Sequence, residues 1–117
     1  MNLLTAIFGK PVPSLNASEL SEKLKNGKHP LVIDVHQPEE YRSGHIAGAK
    51  LIPLGELNHK MQHLPKSREI ICVCASGNRS HSATQTLLNA GYDVYDMKGG
   101  MLSWRRAGFP VKKSDLA

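Results

Sequence analysis

Two short apolar runs rich in β-branched residues constrain this chain most. They are Leu31-Val32-Ile33-Asp34-Val35 and the stretch from Glu69 to Cys74. Both are too short for core helices, and their side chains suit strands buried on two faces. Each gives way to a segment of helical pattern. After the first comes Pro38-Glu39-Glu40-Tyr41, with proline in the first turn of a helix that Gly44 ends. After the second, small polar residues lead into Arg79 to Ala90, where Ala83, Leu87 and Ala90 recur four and three apart and Gly91 caps the end.

The same alternation runs through the rest of the chain. Asn16-Ala17-Ser18-Glu19 reads as a capping box, Leu20 and Leu24 share one helix face, and Gly27 follows as the C-cap. Ala49 to Ile52 is a candidate strand stopped by Pro53, and Glu56 to His63 a candidate helix ended by Pro65. Asp93 to Tyr95 reads as a short strand, and Gly100 to Arg106 as a last helix before Gly108 and Pro110. Alternating strands and helices predict an α/β fold, a mostly parallel sheet of four or five strands with helices on both faces. At 117 residues one such domain buries about two-thirds of its unfolded surface, enough for a single core. Residues 1–13 read as an N-terminal segment and 14–117 as the domain.

The only cysteines are Cys72 and Cys74, so neither a disulfide scaffold nor a four-cysteine zinc module is available. Cys74 stands where the second apolar run stops, the end of a parallel strand at which such sheets bind ligands. Ala75, Ser76, Gly77, Asn78, Arg79 and Ser80 follow, and then a helix begins. A turn of this kind aims successive backbone N–H groups into one concavity that suits an anion. The helix N-terminus adds partial positive charge, and Arg79 a guanidinium. All three favour a thiolate, the nucleophilic form of cysteine.

The order of motifs resembles that of single-domain rhodaneses, which are sulfurtransferases. Asp34-Val35 with Pro38-Glu39-Glu40-Tyr41 resembles the first signature of that family. Gly44-His45-Ile46-Ala47-Gly48-Ala49 with Ile52-Pro53 resembles the second. Cys74 to Ser80 resembles the active-site loop, and Gly99-Gly100 with Trp104 the C-terminal block. The resemblance covers residues 14–110. Four residues separate Cys74 from Arg79; related dual-specificity phosphatases have five, so the shorter loop is the sulfurtransferase pattern.

The resemblance implies that Cys74 attacks the outer sulfur of thiosulfate or of a persulfide donor, expels sulfite or a thiol, and carries the sulfur as a persulfide. The loop from Ala75 to Ser80 would hold that sulfur, with Arg79 orienting the donor or bracing the loop. The sulfur would pass to cyanide, a thiol or a protein. No cofactor or metal is implied, and the alternative is a non-catalytic sulfur-carrier or regulatory binding module of the same fold. Two departures stand out. Ala75 occupies a position that is often Arg, which implies that thiosulfate is a poor donor. His36 also replaces an Arg, which implies a weaker or pH-dependent ion pair.

The remaining candidates are weaker. Cys72, two residues before Cys74, reads as a buried strand cysteine, with a resolving or relay thiol as the alternative. His59 and His63 sit one helical turn apart without an acidic partner, and read as a solvated face rather than metal ligands. His45 reads as a structural hydrogen-bonding group and His81 as a residue near the rim. Asp34 reads as a structural carboxylate, Trp104 as core. The net charge of +5 is scattered rather than concentrated, and aromatic residues make up only 5%, which argues against nucleic acid and suits a small anionic donor. The apolar stretch in Met1 to Lys10 is too short to span a bilayer and has no basic or cleavage signature of a secretory signal. It is a candidate for packing on the domain, a homodimer contact or a surface anchor. Free thiols suit the reducing cytoplasm.

Overall fold

The computed structural model describes residues 11–113, and the reading of the N-terminal apolar stretch lies outside them. Five strands form one sheet in the spatial order β1-β5-β4-β2-β3, every neighbouring pair parallel. In chain order they are β1 (Ser14–Leu15), β2 (Leu31–Asp34), β3 (Lys50–Leu51), β4 (Ile70–Val73) and β5 (Val94–Met97). The helices are α1 (Ala17–Lys25), α2 (Pro38–Ser43), α3 (Leu57–Lys60), α4 (Asn78–Asn89) and α5 (Gly100–Arg106).

The centre of the sheet is β2 and β4, joined over Leu31–Ile70 to Asp34–Val73. Alternation along β4 sorts its side chains to two faces. Ile71 and Val73 enter a core layer with Leu20 of α1, Tyr41 of α2, and Met101 and Trp104 of α5. Ile70, Cys72 and Cys74 enter the opposite layer with Leu57 of α3 and Ala83 and Leu87 of α4. Helices therefore cover both faces, as the run of apolar strand residues requires. Fully buried side chains such as Leu20, Ile33 and Leu87 each contribute about 1.5–3 kcal/mol of apolar burial. The first helix carries the expected capping box, with Asn16 Oδ1 accepting from Glu19 N at 2.8 Å and Glu19 Oε1 accepting from Asn16 N at 2.9 Å.

β3 is shorter than the expected 49–52, and three further elements differ from the sequence reading. β1 was not expected: a two-residue strand with one buried side chain carries no local signal, and pairing with β5 supplies its partners. The last strand runs Val94–Met97 rather than 93–95, because β5 pairs with β4 through Asp96 and with β1 through Met97. The expected helix over 56–63 is instead a 3₁₀ turn (Leu54–Glu56), the one-turn α3 and a second 3₁₀ turn (Met61–His63). Only Leu57 of this stretch is buried, too little to hold a longer helix against the sheet. His59 and His63, both exposed, thus lie on different elements and do not share a helix face. Among the described residues no helix is long and apolar enough to cross a membrane.

Candidate active site

β4 delivers Cys74 to the C-terminal edge of the sheet, and the chain turns through Ala75-Ser76-Gly77 into α4. Gly77 has φ +106°, a left-handed conformation that glycine adopts without a Cβ clash. This turn brings Gly77 N to 3.1 Å and Ser80 N to 3.2 Å from Cys74 Sγ, both donating to the sulfur. The Cys74 thiol faces Ser80 Oγ at 3.4 Å. Two preset backbone donors converge on one sulfur, an arrangement that suits an acceptor atom carrying negative charge. Cys74 is only 1% exposed, so water hardly competes for those donors.

The loop rests on the start of α5. Met101 N donates to Cys74 O at 2.8 Å, and Leu102 N to Ala75 O at 3.1 Å. Gly100, at φ +57°, lies under these carbonyls; a Cβ there would come to 2.3 Å from Cys74 O and 2.6 Å from Ala75 O. Gly100 therefore sets how closely α5 can back the loop.

Arg79 braces the loop from the other side. Its guanidinium donates to Glu40 Oε1 at 2.7 Å and Oε2 at 2.8 Å, joining α4 to α2. The Arg79 hydrogen bonds, then the Gln37 N–H, hold the Glu40 carboxyl down to about 2 from its ordinary 4.5. Of the two roles the family resemblance implies for Arg79, the geometry is that of the brace. A depressed carboxylate stabilises the fold above its unfolded titration, and this contribution is lost as pH falls from about 4.5 to about 2. The pair is over a third exposed, so its worth is about 1 kcal/mol at most. Thermal melts should show Glu40→Gln about 4 °C below the parent near neutral pH, with the gap closing by about pH 2. A gap that persists in acid would assign the effect to packing.

A cavity of about 270 Å³ adjoins the loop, with His36, Glu40, Ala75, Met101 and Arg105 in its wall. Glu40 pairs with Arg79, and Arg105 is the cation in this wall, its guanidinium donating to Ser43 O at 3.5 Å. His36 is 3% exposed; its N–H donates to Asp34 Oδ1 at 3.0 Å. His36 Nδ1 lies 2.6 Å from the same oxygen, off the line of a hydrogen bond, so this is a close polar pair rather than an Arg-like fork.

Asp34 bonds backbone, as expected of a structural carboxylate. His45 Nδ1 pairs with Tyr41 O at 2.7 Å and its ring stacks on Tyr41 at 3.6 Å, a structural role. Trp104 is core, its indole N–H donating to Pro110 O at 2.8 Å. Cys72 is fully buried, and burial pushes its thiol up to about 12, so it stays a protonated strand side chain and lacks the nucleophilicity of a relay. Among the described residues no cluster of three His, Cys, Asp or Glu side chains is placed to hold a metal ion.

Sequence reasoning missed Glu40 as the partner of Arg79, Arg105 in the cavity wall, and Asp96, which accepts from Ser80 Oγ at 2.5 Å. None of the three carries a local pattern; each reaches the site through a different element.

Comparison with known proteins bears on the family and the fold. The model of the rhodanese-like domain matches residues 16–107. A sulfurtransferase of Allochromatium vinosum is 32% identical over 101 residues, which is 86% of this chain and 94% of that protein. An HTH-type transcriptional regulator of Mycobacterium tuberculosis is 36% identical over 107 residues, 90% of this chain but only 47% of the relative. Among solved structures, a rhodanese-related protein of Thermoplasma volcanium superimposes with a TM-score of 0.82 at 36% identity, covering 87% of this chain and 99% of the other.

Proposed function

From the premise that the chain belongs to the family of rhodanese-like domains, we propose that it is a sulfurtransferase working through a persulfide on Cys74. The observation that carries this reading is the pair of backbone donors, Gly77 N and Ser80 N, aimed at Cys74 Sγ in a nearly dry site. The thiolate attacks the outer sulfur of the donor. An S–S bond forms to Cys74 as the donor's S–S bond breaks, and sulfite or a thiolate leaves with the electron pair. The outer sulfur then stands about 2 Å beyond Sγ. An acceptor thiolate or cyanide attacks that outer sulfur, and Cys74 leaves as the thiolate that the two N–H groups are placed to stabilise.

The cavity beside Ala75 suits a small donor with an anionic end, and Arg105 is the side chain that would meet it. With Arg79 committed to Glu40 and Ala75 uncharged, thiosulfate meets little positive charge. Its Michaelis constant should exceed about 1 mM, the upper end of the ordinary range. Arg105→Ala should raise it about fivefold further, the worth of one exposed ionic contact. A sub-millimolar value, or an Arg105→Ala variant with unchanged KM, contradicts this account of the donor site.

The deciding experiment is intact-protein mass spectrometry after incubation with thiosulfate and, separately, with a low-molecular-weight persulfide. The expected result is a gain of one sulfur atom on Cys74 that cyanide removes. No adduct with either donor overturns the reading. The alternative is a sulfur-carrier or regulatory module; the match to a transcriptional regulator supports its regulatory form. It predicts an adduct formed from a protein donor but no turnover with thiosulfate and cyanide.

A further inference from the structure

A second polar group stands in contact with the sulfur. Ser80, in the first turn of α4, is fully buried, and Asp96 of β5 is 6% exposed. The single hydroxyl proton of Ser80 has three acceptors within reach: Asp96 Oδ1 at 2.5 Å, Gly77 O at 3.2 Å and Cys74 Sγ at 3.4 Å. An ionised carboxylate is the strongest of the three. While Asp96 is ionised, it holds the Ser80 proton, and Ser80 Oγ turns only lone pairs to the sulfur. That arrangement suits a thiol, which can donate S–H. Once Asp96 is protonated, its O–H donates to Ser80 Oγ, and the Ser80 hydroxyl proton is released toward the sulfur. That arrangement suits an anionic sulfur, which gains a third donor beside Gly77 N and Ser80 N.

We propose that Cys74 and Asp96 share one proton through the Ser80 hydroxyl, so that Asp96 is a positioning residue deciding whether Ser80 accepts from the sulfur or donates to it. The proposal rests on the reading of Cys74 as the sulfur-carrying nucleophile. In the transfer the S–H bond of Cys74 breaks as its proton passes to Ser80 Oγ, and the Ser80 hydroxyl proton passes to Asp96 Oδ1. One negative charge moves from carboxylate to sulfur; no electrons change owner and no oxidant or reductant is involved. When Cys74 leaves in the second half-reaction, the same protonated Asp96 keeps the Ser80 hydroxyl turned to the departing sulfur.

The surroundings of Asp96 suit a group that exchanges its proton. Burial pushes its carboxyl up toward the protonated form, while the Ser80 hydroxyl, His81 of α4 and Lys98 just beyond β5 pull the other way. Cys72 of β4, opposite Asp96 in the sheet register, stays protonated and adds no charge. Around Cys74 the facing charged group is Arg79, already tied to Glu40.

The test is the rate of Cys74 alkylation by iodoacetamide across about pH 5 to 9 in the full chain, with the site read by peptide fragmentation. Asp96→Asn has no carboxylate to hold the Ser80 proton, so the hydroxyl is released to the sulfur. Alkylation near pH 6 should rise about tenfold, the worth of one hydrogen bond to a charged group. In a Ser80→Ala background the same substitution should change the rate by less than about twofold, because the connection is gone. Two results overturn the proposal: a profile of Asp96→Asn that overlays the parent, or an equal rise in both backgrounds, which is a field effect without the hydroxyl. A second measurement needs no substitution at Asp96. The carboxyl ¹³C shift of Asp96 should titrate in two coupled steps in the parent and in one step in Cys74→Ser; identical curves would also overturn it. Sulfur loading assayed in parallel separates the two readings. A shifted alkylation profile without a sulfur adduct leaves the shared proton standing and removes the sulfurtransferase. Unchanged alkylation with normal loading does the reverse.

Discussion

Under the proposed function, Cys74→Ser should abolish sulfur transfer, with activity at least about 10³-fold below the parent, as expected when the proposed nucleophile is removed. A serine hydroxyl ionises far above neutral pH, and oxygen cannot carry a sulfane sulfur through a thiol–disulfide type of exchange. The fold should survive. Oxygen is smaller than sulfur, Gly77 N and Ser80 N can still donate to it, and the neighbouring Cys72 stays buried and protonated. The check is sulfur transfer alongside far-UV circular dichroism and a thermal melt. A variant that melts within a few degrees of the parent and still turns over above about a tenth of its rate would remove Cys74 from the centre of the reaction.

Gly100→Ala should be the most damaging change outside the sulfur itself. The added Cβ meets two backbone carbonyls, those of Cys74 and Ala75, and neither can rotate away as a side-chain tip would. The left-handed backbone at Gly100 costs alanine about 1–2 kcal/mol before any clash. Relief requires α5 to back away from the loop, which lengthens the bonds from Met101 N and Leu102 N to those carbonyls. Together these amount to about 3 kcal/mol or more, some 12–20 °C in melting temperature for a domain of this size. Because the displaced carbonyls belong to Cys74 and its neighbour, the sulfur cradle shifts too. Transfer measured at a temperature where the variant is folded should fall about 10²-fold. Gly48→Ala is the control: its φ of +85° is also left-handed, but nothing lies within 4 Å of the added Cβ. It should show the conformational cost alone and keep full activity. Equal effects at the two positions would mean that the contact with the loop is not what Gly100 protects.

Much of the site was readable because it is local. A strand that ends in Cys74, a glycine three residues on and a helix immediately after are consecutive in the chain, and the direction of their N–H groups follows from that order. The same holds for the capping box at Asn16 and Glu19 and for the alternation that puts Cys72 and Cys74 on one face of β4. The helix expected over 56–63 failed for the complementary reason. Its end was read from Pro65, whereas the number of side chains buried against the sheet decided its length.

The sequence by itself determined the α/β alternation, the place of Cys74 and the shape of the loop around it, since each depends on residues within a turn or two of one another. Tertiary structure alone decided what the loop's charges do. Arg79 reads equally as a cation for the donor or a brace for the loop until Glu40, 39 positions away, arrives with both carboxylate oxygens. Ser80 reads as one more hydroxyl until Asp96, 16 positions on, comes within 2.5 Å. β1 becomes a strand only because β5 offers it an edge. Electrostatic and hydrogen-bonding roles depend on which groups face each other across the fold, and parallel sheets bring together residues from distant parts of the chain.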